Sequence, residues 1–579
     1  MTHSPASEWS SAFLGELIAR GVTDFVVSPG SRSQSLALAA LEWERASEGL
    51  ITVHVVIDER SAGFRALGLA LETQRPAVCI ATSGSAPLHY MPALAEARHA
   101  GVPMMVISAD RPSELQGVGA NQTTDQSALF GGIARTWNVE APEGEAAPDL
   151  GPLAQEMVSE ALAGAPVHLN VAFREPLSGT LATPVVMPPV VPLHFEARDG
   201  VSVELEPQPG TLVIAGHGAT AKAEELAVSL GAALIAEVAS GARFGPHLVL
   251  SYRDVLEGPL PTPIKRVIAI GRPTLSRAVW SVLSDSAIEH ISMPMRGLEA
   301  SNPTRDAHVV GDIVASRPAT AGEKEEWVKP WVMAGRSAQQ GALDCLLPPP
   351  PDLEAAVSDD PATRNAFATA EMSVMRRRVT RWEMALALWE ATWPHDRLVL
   401  GASRMIREAD TIVGSKNIPV FANRGLSGID GTISTARGIA HAASASGASG
   451  ITRVLLGDLA FLHDVGSLLR EPQLEHPSRV HLFVANDGGG SIFDGLEVAQ
   501  SASTEDRDRV LFTPHDVDLE ALAGAYGWAY LRVVSMGELT DALGRSDSHL
   551  IIDVGLDRAQ RAFVATESCQ DRLELEPCF

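Results

Sequence analysis

A chain of 579 residues is long enough for roughly three to five domains with extensive buried cores, which excludes disulfide-stapled and peptide-like classes. Apolar residues make up 45% and charged residues 20%, the balance of a folded protein rather than a disordered one. Lys+Arg 45 against Asp+Glu 71 leaves a formal charge of −26, so nucleic acid and anionic membranes are excluded as general partners, and any anionic substrate requires a local cationic exception.

The chain opens with Trp9, Phe13, Leu14, Leu17 and Ile18 on one face of an amphipathic helix, unlike the basic and apolar regions of a secretory leader. Apolar runs at 24–28, 53–58, 77–82 and 103–108 then alternate with helical patterns, which predicts crossover connections and a parallel sheet. Pro176, Pro184, Pro188, Pro189 and Pro192 make the uncharged stretch that follows a linker, not a stable membrane insertion. A second group of runs lies at 211–216, 233–237 and 266–271, before another proline-rich stretch at 346–363. The third group comprises 397–402, 419–423, 453–458, 480–486 and 549–554. The predicted fold class is therefore α/β: three doubly wound domains with mainly parallel sheets, at 1–185, 196–345 and 364–579. Cys79, Cys345, Cys569 and Cys578 are widely spaced and suggest neither a disulfide framework nor a thiolate metal site, which fits a reducing cytoplasm.

In such sheets ligands bind beyond the carboxyl ends of the strands, so the residues just after each run carry the functional signal. In the middle group, Gly216-His-Gly218-Ala-Thr-Ala221 opens a helix and Glu237 follows about twenty residues later, the pattern of a dinucleotide site. The same pattern also serves as a glycine-rich turn that binds nothing. In the third group, one strand ends in Gly457-Asp458-Leu459 and the next in Asn486-Asp487-Gly488-Gly489. Asp458 taken alone is an ordinary helix cap. Paired with Asp487 at the neighbouring strand end, with a carbonyl from Gly489, it offers hard oxygen ligands suited to Mg2+ completed by a diphosphate.

Those residues, together with the segments 28–33 (SPGSRS), 58–70 (DERSAGFRALGLA), 81–86 (ATSGSA), 108–126 (SADRPSEL through GANQTTDQ) and 423–431 (NRGLSGIDG), resemble the 2-succinyl-5-enolpyruvyl-6-hydroxy-3-cyclohexene-1-carboxylate synthase branch of the thiamine-diphosphate enzymes. The resemblance implies the thiamine-diphosphate-binding fold: a pyrimidine-binding domain, a Rossmann-like middle domain needing no nucleotide, and a diphosphate-binding domain. It implies thiamine diphosphate and Mg2+, or Mn2+ in its place, as cofactors. It further implies isochorismate and 2-oxoglutarate as substrates of menaquinone biosynthesis, and a homodimer or homotetramer with the active site between subunits. Glu59 matches the glutamate that hydrogen-bonds the aminopyrimidine, and Ile429 the apolar wedge beneath the bent cofactor. Ile492 and Phe493 match the residues that cover the site. Arg32, Arg111, Arg407 and Arg424 match carboxylate-binding positions, with Ser31, Gln122 and Ser403 lining the same site. Where the resemblance implies a Lys-Arg pair, this chain has Ser276-Arg277. Other thiamine-diphosphate enzymes, a 2-oxoacid decarboxylase or an acetolactate-type synthase, are the nearest alternatives, and a dinucleotide oxidoreductase built on residues 216–221 is a more distant one. The charged stretch 495–510 is expected to act as a lid.

Overall fold

The computed structural model describes residues 3–144, 148–181, 184–190, 201–295, 297–471 and 478–559. Three parallel sheets carry the molecule. The first contains β1 (Asp24–Val27), β2 (Thr52–Val55), β3 (Ala77–Ala81), β4 (Met104–Asp110), β5 (Arg135–Val139) and β6 (Val167–Ala172) in the order β2-β1-β3-β4-β6-β5. The second contains β8 (Thr211–Ala215), β9 (Ala233–Ala236), β10 (Arg266–Ile270), β11 (Glu289–Met293) and β12 (His308–Val309) in the order β12-β11-β10-β8-β9. A two-stranded ribbon of β7 (Ser202–Leu205) and β13 (Asp312–Ala315) flanks it. The third contains β14 (Arg397–Leu400), β15 (Val420–Phe421), β16 (Thr452–Gly457), β17 (Val480–Asn486), β18 (Ala529–Val533) and β19 (His549–Gly555) in the order β15-β14-β16-β17-β19-β18. Every apolar run named in the sequence contributes a strand to one of these sheets, while β5, β7, β12, β13 and β18 carry mixed or polar patterns that do not stand out as runs.

Each sheet has a switch point where successive connections leave in opposite directions: between β1 and β3, between β8 and β10, and between β14 and β16. These are the places where two loops diverge and a crevice opens. The three sheets therefore offer three crevices of one design.

The amphipathic helix Pro5–Ala19 buries Trp9, Phe13, Leu14, Leu17 and Ile18 against the first sheet, with the Trp9 and Phe13 rings stacked at 5.0 Å. Each such side chain contributes about 1.5–3 kcal/mol by leaving water. The long helix Ala321–Leu346 bridges two cores: Trp327 and Trp331 pack under the second sheet, whereas Ala342, Leu343 and Leu346 pack under the third. The first and third sheets are joined by the helices Glu59–Thr73 and Thr432–Ala445, which cross so closely that a Cβ at Gly68 would lie 2.0 Å from the Thr435 carbonyl oxygen. Only glycine permits that approach. Among the described residues no helix is long and apolar enough to cross a membrane. One expectation needs correction: Cys79 is free and buried, but Cys345 is disulfide-bonded, so wide cysteine spacing did not exclude a bridge.

Candidate active site

The carboxyl edge of the third sheet, at and beside its crevice, carries two carboxylates. Asp458 follows β16 and Asp487 follows β17, and because these strands are hydrogen-bonded neighbours, the two acids reach the same edge of the sheet. Asp458 is buried, and its Oδ2 accepts the backbone N–H groups of Gly488 at 2.8 Å and Gly489 at 2.9 Å, while Oδ1 accepts that of Leu459 at 2.6 Å. Burial, and after it the Asp487 charge, push the Asp458 carboxyl up to about 6. Two desolvated carboxylates repel one another unless a cation lies with them. Asn486 orients the turn, donating to Asp553 at 2.9 Å and accepting the Gly488 N–H at 3.2 Å, and Gly457 is the last residue of β16.

Three neighbours here carry no sequence signal. Buried Arg381 pairs with Asp487, the His515 Nε2 lies 3.4 Å from Asp458 Oδ2, and Arg404 donates to the Ser491 hydroxyl at 3.1 Å. Arg381 and His515 are distant from the motif in sequence, and only folding brings them to it. Ile492 and Phe493 are half-buried in the short turn Ser491–Gly495, beside Gly490. At the stretch expected to act as a lid, Arg558 pairs with Asp494 just before it at 2.9 Å and with Asp508 within it at 2.6 Å. Among the described residues no group of three or more His, Cys, Asp or Glu side chains could hold a metal alone. Asp458 and Asp487 are hard oxygen donors of the kind Mg2+ takes, and on their own they fall short of a full ligand set.

Glu59 is the first residue of the helix that follows β2, an edge strand of the first sheet. It is half-buried, and its carboxylate makes no hydrogen bond or ion pair to a described residue, although its charge reaches the buried Tyr90 phenol. Val55 and Ile57 beside it are 47% and 67% exposed, an apolar surface next to an acid with no partner among the described residues. No described contact joins Glu59 directly to Asp458 or Asp487.

The arginines fall into two groups. Arg32 and Arg111 lie at the first sheet: Arg32 Nη1 donates to the Phe173 carbonyl at 3.0 Å, and the Phe173 N–H donates to the carbonyl of Asp110, the residue before Arg111. The Arg32 N–H donates to the Thr82 hydroxyl at 3.2 Å, across the crevice between β1 and β3, with Ser31 exposed at its mouth. Gln122 is exposed overall, but its side chain donates to the Ser83 carbonyl at 3.0 Å. Arg407 and Arg424 lie between the second and third sheets, where burial lowers both guanidinium pKa values, helped by the Arg253 charge at Arg407 and by the Arg407 charge at Arg424. Arg407 Nη1 donates to the Ser403 carbonyl at 2.7 Å, and Arg424 Nη2 donates to the Thr274 hydroxyl at 2.8 Å. Arg111 Nε and Arg424 Nη1 are buried without hydrogen-bond partners, a cost a bound carboxylate would remove.

The loop after Asn423 is where all three sheets meet. Glu96 of the first accepts the N–H groups of Gly425 and Leu426 at 2.6 Å each, and Arg272 of the second donates to the Gly425 carbonyl at 2.6 Å. Ile429 then packs against the core that includes Leu456 and Phe461. Arg277 is exposed at the start of the helix Arg277–Leu283, and Ser276 is buried as its cap, its hydroxyl accepting the Val279 N–H at 3.4 Å. A cap cannot replace a lysine that reaches for substrate.

The crevice of the second sheet is closed. His217 and Arg272 pair as an isolated bridge across it, and a Cβ at Gly216 would lie 2.1 Å from the Pro273 nitrogen. Glu237 is buried and accepts the N–H groups of Thr274 and Leu275 at 2.7 and 2.6 Å. Gly216 admits protein backbone and Gly218 the Met295 side chain rather than a pyrophosphate, and the acid caps a loop rather than a ribose, so the dinucleotide reading of Gly216–Ala221 fails.

Residues 8–129 match the family described as thiamine pyrophosphate enzyme, N-terminal TPP binding domain. The chain is 47% identical to a 2-succinyl-5-enolpyruvyl-6-hydroxy-3-cyclohexene-1-carboxylate synthase from Leifsonia xyli subsp. xyli over 96% of this chain and 97% of that protein. It is 46% identical to the protein of the same name from Clavibacter michiganensis subsp. michiganensis, again over 96% of this chain and 97% of the relative. Among solved structures, benzoylformate decarboxylase from Polynucleobacter necessarius superposes with a TM-score of 0.64 at 14% identity, covering 96% of this chain and 99% of the other. That last likeness concerns the fold.

Proposed function

The chain belongs to the 2-succinyl-5-enolpyruvyl-6-hydroxy-3-cyclohexene-1-carboxylate synthases, thiamine-diphosphate-dependent enzymes of menaquinone biosynthesis that decarboxylate and form a carbon–carbon bond, and from that premise we propose how its residues divide the work. Thiamine diphosphate, when bound, supplies the electron sink through which 2-oxoglutarate loses CO2 and its remaining carbons add to isochorismate. Asp458, Asp487 and the Gly489 carbonyl hold Mg2+, or Mn2+, against the diphosphate. Gly457, Leu459 and Asn486 border that group, Ile429 supports its bend, and Ile492 and Phe493 cover it. Glu59 holds a proton at the aminopyrimidine nitrogen.

The two substrates bring carboxylates that the arginines Arg32, Arg111, Arg407 and Arg424 receive, with Ser31, Gln122, Ser403 and Arg277 at the margins. The unpartnered donors on Arg111 and Arg424 support this assignment, since an arginine with a free buried N–H is preorganised for an incoming carboxylate. The acidic surface charge and this cationic lining are then compatible. Glu59, flanked by exposed Val55 and Ile57 on an edge strand, serves a cofactor held by a second copy of the chain in a homodimer or homotetramer.

The observation that carries this reading is the buried Asp458–Asp487 pair at adjacent strand ends. Purified protein should consume isochorismate only when 2-oxoglutarate, thiamine diphosphate and Mg2+ are all supplied. Turnover of pyruvate with no requirement for isochorismate would instead favour a 2-oxoacid decarboxylase or an acetolactate-type synthase.

A further inference from the structure

We propose that Thr274, in the closed crevice of the second sheet, is a positioning residue that aims Arg424 of the third sheet at a substrate carboxylate. The proposal rests on the assignment of Arg424 to substrate made above. Both residues belong to one chain, so it is independent of which copy supplies Glu59.

Arg424 lies in the loop after β15, where the backbone has no regular structure, and its side chain is buried. A long side chain leaving such a loop has several rotamers open to it, and one is kept only if fixed contacts offset the lost freedom. Thr274 supplies them. Its hydroxyl oxygen accepts Arg424 Nε at 3.0 Å and Nη2 at 2.8 Å, and its carbonyl accepts Nη2 at 3.3 Å. The side edge of the guanidinium is thereby occupied, while Nη1 is buried without a hydrogen-bond partner among the described residues. A carboxylate is left the end-on approach, at Nη1.

Thr274 is itself immobilised. Its N–H and that of Leu275 donate to Glu237 Oε1 at 2.7 and 2.6 Å, and the Leu275 carbonyl accepts Arg253 Nη2 at 3.3 Å. Two residues earlier, Arg272 and His217 exchange backbone hydrogen bonds at 2.9 and 3.0 Å. The contacts that close this crevice to a nucleotide are therefore the ones that make Thr274 a fixed point, and the buried Glu237 acquires a use. The chemistry of the contact matters as well. A carboxylate in place of the hydroxyl would pair with Arg424 and neutralise the charge that a substrate needs, whereas a hydroxyl orients the guanidinium and leaves its charge available. The nearby acids take their hydrogen bonds from other groups: Glu237 from the two loop N–H groups, and Asp410 from Tyr252 and Arg253 at 2.6 Å each.

The test compares Thr274 and Arg424 variants of the full chain in steady-state kinetics, with thiamine diphosphate and Mg2+ present. Arg424→Met identifies the dicarboxylate that the arginine serves, by raising its KM. Thr274→Val keeps the side-chain shape and removes the hydroxyl. It should raise that same KM by about 3- to 30-fold and leave kcat within about threefold, because the reacting atoms are untouched. Thr274→Ser restores the hydroxyl and should return the KM to within about twofold of wild type. Thr274→Val combined with Arg424→Met should be no worse than Arg424→Met alone, since Thr274 acts only through Arg424. A threonine needed merely for folding would lower the active fraction, and so kcat, with KM unchanged. Should the valine variant fold poorly, Thr274→Ala removes the same hydroxyl with no added bulk and carries the same expectations. An unchanged KM in the valine or alanine variant would overturn the proposal, as would a rise that serine fails to reverse or that multiplies with Arg424→Met. If Arg424→Met alters neither substrate's KM, the assignment of Arg424 to substrate fails and the proposal with it. A raised KM in Arg424→Met beside an indifferent Thr274→Val overturns the proposal alone.

Discussion

At the crevice of the second sheet, Gly216 lies under the backbone of Arg272 and Pro273, and Glu237 is spent on two loop N–H groups; at the carboxyl edge of the third sheet, beside its own crevice, Asp458 and Asp487 stand at the ends of the adjacent strands β16 and β17, and Gly488 donates to Asp458. Both begin as a parallel strand running into a glycine-bearing turn. The difference lies in what the partner loop does. In the second sheet the loop after β10 pairs with the loop after β8 and fills the space, whereas in the third the loops after β16 and β17 bring two acids together, so that the Asp487 charge adds to burial in raising the Asp458 carboxyl. A strand-end motif thus signals a crevice, and the opposing loop decides whether a ligand can enter.

The sharpest way to break this comparison is to remove the third crevice's charge. Asp458→Asn should weaken Mg2+-dependent binding of thiamine diphosphate by at least about 100-fold, read by calorimetry, because a lost ligand costs more than a lost outer contact. Glu59→Gln should lower turnover by about 100- to 10,000-fold and leave cofactor affinity within a few-fold, since it removes a proton-holding group and not an anchor. Steady-state kinetics beside the same titration separates the two ends of the site. Arg424→Met should raise KM for a dicarboxylate substrate by about 10- to 100-fold, the scale of one charge-assisted hydrogen-bond pair.

The second crevice is probed by smaller effects. Gly216→Ala should destabilise the protein by about 1–3 kcal/mol in denaturant titration, because the new methyl meets backbone. Nucleotide binding should be absent before and after the change. Glu237→Gln should alter mainly the pH dependence of stability. Burial pushes the Glu237 carboxyl up to about 8, so the folded protein holds a proton that the unfolded chain releases near 4.3. Its contribution is complete below the unfolded value and is lost as pH rises to about 8, so wild-type stability should fall across that window. The glutamine variant should show a flatter profile, with a difference of about 1 kcal/mol or more across it.

The strands and the pair of acids at their ends were legible because their signals are local. Val454, Leu455 and Leu456 followed by Gly457-Asp458 is a buried strand and its end in consecutive residues, and Asp487 repeats the arrangement one crossover later. Arg381, His515 and Thr274 were not legible. Arg381 lies more than a hundred residues from the acid it pairs with, Thr274 lies 150 from the arginine it holds, and neither has a spacing that marks it. The Lys-Arg position is intermediate: the sequence displayed Ser276, and the fold supplied its use as a buried cap.

The sequence by itself determined the α/β class, the strand runs and the acids at their ends, because alternating burial and strand-end chemistry are written in neighbouring residues. Tertiary structure alone decided that the second-sheet glycine turn is filled by Arg272 and Pro273, which arginine donors remained unpartnered, and how one hydroxyl of the second sheet holds an arginine of the third. Those outcomes depend on which distant loop packs against which, and that is settled by the crossing of helices and sheets.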